Sequence, residues 1–208
     1  MKKRILCFGD SNTWGYIPDS PPIPRYNEDI RWTARLQNLL GSDWQVLDFG
    51  LCGCEASGKD KLVGFTASAK TLFAPVLFAS LPVDIVLIML GTNDLNCLND
   101  WKPGDTATGL KSLVDTVRAI SPKTRVAIAS PVILKDKIAQ DPKFDETAPE
   151  NSRLQAKEVA ELCVREKIPF FDTNEFVHEL SIDGCHFTPQ DHKAFAESIA
   201  PFMQNLMF

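Results

Sequence analysis

The chain has little or none of several features that usually identify a partner or a compartment. Only three histidines occur among 208 residues, so few imidazoles compete for the role of base. Positive charge does not prevail, with 22 Lys+Arg against 27 Asp+Glu and a formal net charge of −5. No basic stripe with interleaved aromatics appears, which argues against nucleic acid as the main partner. No low-complexity tract, Gly/Ser linker or repeat divides the sequence, so one α/β domain over residues 1–208 is the default at this length. No stretch approaches the ~20 apolar residues of a membrane span, and no membrane partner is expected. Lys2-Lys3-Arg4 imitates the start of a signal peptide, but the apolar run behind it is only about five residues, short of the roughly 7–15 of an h-region. A cytoplasmic location is the expectation, with oligomeric state left open to a homo-oligomer.

Six cysteines would allow three disulfides. Cys7, Cys52, Cys54, Cys97 and Cys163 sit in or beside expected strands and helices, and without an export signal free thiols are the better reading. Cys52-Gly53-Cys54 together with Cys185-His186 imitates a metal site, yet the spacing matches no common zinc pattern. No G-x-G-x-x-G or Walker-type loop follows any strand-like run.

What is present is an alternation. Strand-like runs at Arg4–Phe8, Trp44–Phe49, Asp84–Leu90, Arg125–Ser130 and Pro169–Asp172 alternate with helical stretches. These are Ile30–Leu40, Thr66–Ser80, Pro103–Ile120, Pro149–Lys167 and Pro189–Met207. The third run, Asp84-Ile-Val-Leu-Ile-Met-Leu90, is apolar almost throughout, as in a parallel strand covered on both faces. Right-handed crossovers then give a three-layer α/β/α sandwich on a flavodoxin-like five-stranded parallel sheet. Thr188-Pro189-Gln190-Asp191 combines an N-cap threonine, a first-turn proline and an acid, which fixes the start of the last helix two residues after His186.

Ligands of such sheets bind beyond the carboxyl ends of the strands. Ser11, Gly53 and Asn93 follow the first three strands, and Asp183 and His186 lie in the connection after the fifth, so the topology gathers all five at one edge. Ser11, in Gly9-Asp10-Ser11-Asn12, is a nucleophile candidate that needs a base, an orienting acid and oxyanion donors. An imidazole titrates near ~6.5 and is mostly neutral at pH 7, so His186 can serve as the base. Asp183, three residues earlier and next to Gly184, can curl back to hold its tautomer. The Ser11 and Gly53 N–H groups and the Asn93 amide are the oxyanion donors. Asp10 is read as bonding local backbone. His192, in the first turn of the last helix, is expected to face solvent, and His178 sits in the polar stretch Asn174–Glu179. Trp14, Tyr16 and Trp32 are candidates for an acyl or alcohol pocket, with Trp32 alternatively a core residue. The polar stretch Asp136–Glu150 reads as a surface loop in preference to a lid.

Gly9-Asp10-Ser11, Gly53, Gly91-Thr92-Asn93-Asp94 and Asp183-Gly184-Cys185-His186-Phe187 resemble, in order and separation, the four blocks of the SGNH (GDSL-type) hydrolases. Lys3-Arg4-Ile5-Leu6-Cys7-Phe8-Gly9-Asp10-Ser11 with Thr13-Trp14-Gly15, Arg31-Trp32-Thr33 and Ile88-Met89-Leu90 look like the arylesterase/acyltransferase branch. The resemblance implies a Ser11–His186–Asp183 triad, an oxyanion hole of Ser11, Gly53 and Asn93, no metal or organic cofactor, and hydrolysis of short-chain esters with acyl transfer to other acceptors. One departure stands out. Where that branch reads Arg-Thr-Thr after the block-two glycine, this chain reads Cys54-Glu55-Ala56, which places an acid beside the expected site. Glu55 and the short spacing between blocks favour small polar or aromatic esters over long lipids. The rival readings are a lysophospholipase or thioesterase on the same chemistry, and a non-enzymatic flavodoxin-like module for phosphate or nucleotide.

Overall fold

The computed structural model describes residues 2–18, 24–58 and 68–207. The strands are β1 (Lys3–Gly9), β2 (Trp44–Gly50), β3 (Ile85–Met89), β4 (Arg125–Ala129) and β5 (Phe170–Phe171). All pair in parallel, in the order β2-β1-β3-β4-β5. Strand order therefore reverses between β1 and β3, the place where sheets of this topology open a crevice for a ligand.

Side chains alternate across the sheet, as strand geometry requires. Ile5 and Cys7 of β1 and Ile85, Leu87 and Met89 of β3 join one core. Trp32 and Leu36 of helix α2 (Trp32–Leu40) and Phe195, Ile199 and Met203 of helix α6 (Pro189–Asn205) cover it. Leu6 and Phe8, with Val86 and Ile88, join the opposite core. That core is closed by α3 (Ala69–Ser80), α4 (Asp105–Ile120) and α5 (Ala148–Glu166), through Phe73, Leu77, Leu110, Val114, Val159 and Leu162. The near-continuous apolar reading of β3 follows from burial on both sides.

Element ends shift by at most three residues from the sequence expectation. The fifth strand shrinks to Phe170–Phe171, because the Asp172 side chain accepts the Asn174 N–H and starts a 3₁₀ turn. The first two residues of the expected helix Thr66–Ser80 lie outside the described residues. All six cysteines are free thiols.

The start of α6 is built as its sequence suggests. The Thr188 hydroxyl accepts the Asp191 N–H at 3.1 Å while the Asp191 carboxylate accepts the Thr188 N–H at 3.0 Å. This reciprocal cap satisfies two backbone donors and fixes the exit of the loop that carries His186. Among the described residues, no helix is long and apolar enough to cross a membrane.

Candidate active site

Ser11 opens a single helical turn, α1 (Ser11–Trp14), directly beyond β1. Asp10 caps that turn, its carboxylate accepting the Asn12 N–H at 2.9 Å, so its local backbone role is as expected. Burial raises the Asp10 pKa to about 6, against the opposing pull of the Asn12 N–H and of His186. The turn lies hard against the end of β2: a Cβ on Gly50 would sit 2.1 Å from the Trp14 backbone nitrogen and 2.5 Å from its Cα. Only glycine admits that approach.

The loop between β5 and α6 brings His186 to Ser11. His186 Nε2 lies 2.8 Å from Ser11 Oγ, and His186 Nδ1 lies 2.5 Å from Asp183 Oδ2. A carboxylate can only accept, so the Nδ1 proton points at Asp183 and the Nε2 lone pair faces the serine hydroxyl. The second Asp183 oxygen accepts the N–H groups of Cys185 (3.0 Å) and His186 (3.1 Å). Burial alone would raise the Asp183 pKa, but its bond to and charge attraction for His186, with those two N–H groups, hold it down at about 2. The carboxylate is therefore ionised wherever the imidazole can act as a base.

Gly53 and Asn93 meet at the same rim. The Cys54 N–H donates to the Leu51 carbonyl at 3.0 Å, closing a turn in which Gly53 takes φ 79°, a position that demands glycine. Among the described residues nothing takes the Gly53 N–H. Asn93 donates one amide hydrogen to the Cys54 carbonyl at 3.0 Å. This fixes its head and leaves the second amide hydrogen available. Asp94, fully buried, accepts the N–H groups of Ala56 (2.9 Å) and Ser57 (2.7 Å), tying the block after β3 to the block after β2.

Ser11, Gly53, Asn93, Asp183 and His186 all line one cavity of about 600 Å³. Tyr16 lines it too, its ring 4.7 Å from the imidazole of His186. Trp14 and Trp32 do not. Trp14 lies under the Arg25 guanidinium, 5.2 Å from it. Trp32 is 1% exposed and packs edge-on against Phe195, with its indole N–H donated to the Asn12 carbonyl at 3.1 Å. Trp32 is spent on the core and the half-buried Trp14 faces Arg25, so neither lines the cavity and the pocket expectation is corrected for both.

Three further expectations change. The Asp136–Glu150 stretch is not a plain surface loop: Lys137 and the run from Gln140 to Phe144 form a wall of the cavity. Glu55 does not face the cavity. It is 1% exposed, and its carboxylate accepts from the Ser57 hydroxyl and the Asn99 amide, both at 3.3 Å, so its charge is not presented to a ligand. His192 is buried rather than solvent-facing, its Nδ1 accepting the Trp32 N–H at 3.3 Å. Burial lowers its pKa to about 3. The sequence carried a signal for this one, since Arg31 offers no side-chain cap to the first turn of α2 and some acceptor must serve it.

Among the described residues, the tightest set of potential metal ligands is Asp183, Cys185 and His186, with ligand atoms within 4.8 Å of one another. His186 Nδ1 contacts both other members, Asp183 Oδ2 at 2.5 Å and Cys185 Sγ at 3.2 Å. Cys52 and Cys54, which imitate a metal site in the sequence, are not part of this set.

A hydroxyl, a base aimed at it, an acid behind the base and convergent N–H donors can together support attack on a carbonyl. Solved structures share the fold. The chain is 31% identical to an aryl esterase from M. smegmatis, with a TM-score of 0.87, covering 98% of this chain and 99% of that one. It is 27% identical to a carbohydrate acetylesterase from Sinorhizobium meliloti, also with a TM-score of 0.87, covering 99% and 100% of the two chains. A putative arylesterase from Agrobacterium tumefaciens, 24% identical over 98% and 99% of the two chains with a TM-score of 0.86, shares the fold. No curated protein sequence matches significantly. The profile of the GDSL-like lipase/acylhydrolase family matches residues 7–194, and the chain belongs to that family, the SGNH (GDSL-type) hydrolases, as a carboxylic ester hydrolase.

Proposed function

We propose that the chain is a serine esterase for short-chain, acetyl-type esters of small alcohols, aryl groups or sugars, acting through an acyl-enzyme on Ser11. The observation that carries this reading is the unbroken hydrogen-bonded series from Asp183 through His186 to Ser11.

Ser11 Oγ attacks the ester carbonyl carbon as its proton passes to His186 Nε2. The carbonyl oxygen becomes an oxyanion received by the Ser11 and Gly53 N–H groups and the free Asn93 amide hydrogen. Collapse breaks the bond to the alcohol, which leaves with the proton from Nε2. Water then enters along the same path and attacks the acyl carbonyl as its proton passes to Nε2; collapse breaks the bond to Ser11 Oγ, which takes the proton back from Nε2, and the acid leaves. An alcohol in place of that water yields a new ester, so acyl transfer follows from the same geometry. Asp183 stays ionised and stabilises the imidazolium. No step draws on a metal or organic cofactor.

The substrate class rests on the cavity and the relatives. About 600 Å³, shared between acyl and alcohol groups, suits small esters, and the similar proteins include an aryl esterase and a carbohydrate acetylesterase. A non-enzymatic phosphate- or nucleotide-binding role does not fit a member of this hydrolase family. A fluorophosphonate probe should label the peptide containing Ser11 in the wild type and not in Ser11→Ala. Hydrolysis of nitrophenyl esters should fall from acetyl to octanoyl, and a profile rising toward long chains would favour the lysophospholipase or thioesterase reading instead. Adding a primary alcohol should divert product from acid to ester.

A further inference from the structure

We propose that Asn12 is a positioning residue that holds His186 in register with Ser11. The inference rests on the proposed roles of Ser11 and His186 and adds a part to that machinery.

Asn12 directly follows Ser11 and is 4% exposed. Its side chain does not line the cavity, so it does not touch substrate. Instead it reaches the backbone on both sides of His186. Asn12 Oδ1 accepts the Phe187 N–H at 2.9 Å, and Asn12 Nδ2 donates to the Cys185 carbonyl at 3.0 Å. These partners lie more than 170 positions away in the chain, 173 for Cys185 and 175 for Phe187.

The Asn12 backbone is itself fixed at both ends. Its N–H is held by the Asp10 carboxylate and its carbonyl receives the Trp32 indole N–H. The residue is therefore a rigid bracket between the nucleophile's turn and the peptide units flanking the base. The other bonds of the His186 loop have different targets. Asp183 bonds within the loop, Ser181 N–H donates to the His186 carbonyl, and Lys135 N–H donates to the Gly184 carbonyl from the β4 side. None of these ties the loop to the turn that carries Ser11. Beside the Ser11–His186 bond itself, the Asn12 pair ties the loop to that turn by hydrogen bonds.

The chemistry calls for an amide here. One atom must accept and its neighbour must donate, and an amide head offers both at once whatever the pH or tautomer. Gln would carry the same head one methylene further out. A misplacement of about 1 Å at a reacting centre can cost about 10²-fold in rate, so the bracket has leverage without contacting the ester.

The test compares two backgrounds. Asn12→Ala should lower kcat/KM for nitrophenyl acetate, and the rate of fluorophosphonate labelling, by about 10–100-fold. In a His186→Ala background, where there is no imidazole left to place, the same change should alter the residual rate by less than about twofold. Asn12→Asp keeps the shape and the acceptor for Phe187 but turns the donor to Cys185 into a repelling oxygen, and should show a loss in the same direction. If Asn12→Ala does not fold, Asn12→Asp is read through the same pair of backgrounds. Equal losses with and without His186 would mean a general structural role and overturn the proposal, as would an unchanged rate in the single variant. A wild type that neither hydrolyses esters nor takes the probe would instead overturn the reading of Ser11 on which the proposal stands.

Discussion

At the scale of single residues, the proposed mechanism divides labour between groups that react and groups that make reaction possible. Asp183 belongs to the second kind. Its oxygens are taken by His186 and by two backbone N–H groups, so Asp183→Asn should leave the loop folded and misassign the imidazole proton. The expected cost is about 10⁴-fold in kcat, measured against an unchanged melting temperature. Asn93→Ala removes one oxyanion donor and its tie to Cys54, with an expected loss of about 10²–10³-fold in kcat. A change in KM alone would place Asn93 in ground-state binding. The motif residues were legible in the sequence because chemistry restricts which side chains can serve. The exceptions are instructive. Trp14 and Trp32 looked like pocket aromatics because they are large and near the nucleophile, but the sequence does not say that Trp32 packs on Phe195 and that Trp14 turns toward Arg25. Glu55 looked like an acid in the site, and only the fold shows its carboxylate turned toward Ser57 and Asn99.

At the scale of elements, the turn carrying Ser11 is wedged between strand ends. Gly50→Ala would drive a methyl group into the Trp14 backbone, since a Cβ there lies 2.1 Å from its nitrogen. Backbone cannot step aside as a flexible side chain can, so the turn itself must move. We expect a loss of about 1–3 kcal/mol in unfolding free energy, typical of overpacking, together with a drop in kcat/KM larger than that instability explains at a temperature where the variant stays folded. Denaturant unfolding alongside kinetics separates the two. The five strands and the principal helices followed from hydrophobic period alone, because burial on both faces leaves few ways to order such runs. The wall from Gln140 to Phe144 did not, because a polar stretch with Pro142 carries no period and its position is set by tertiary packing.

At the scale of the whole molecule, His192 makes stability depend on pH. It bridges α6 to the first turn of α2 through the Trp32 N–H and is held neutral, burial having lowered its pKa to about 3. In the unfolded chain an imidazole takes a proton below about 6.5. Between those two values the unfolded state binds a proton that the native state refuses, so stability falls as pH drops through the window and is fully present above it. The contribution is on the order of 5 kcal/mol at its limit. His192→Gln keeps an acceptor for Trp32 without the titration. Urea unfolding at pH 7 and pH 4 should show a markedly smaller loss in the variant than in the wild type, and parallel losses would exclude this origin. Asp10, with its pKa raised to about 6, pulls the other way across the lower part of the window, but equally in both proteins.

The proposed base sits 175 positions downstream of the hydroxyl it faces. During synthesis, then, the serine is made well before its imidazole and stays inert throughout that interval. On the proposed mechanism, ester cleavage switches on only when the loop carrying His186 docks against the turn after β1, so catalytic competence reports that docking.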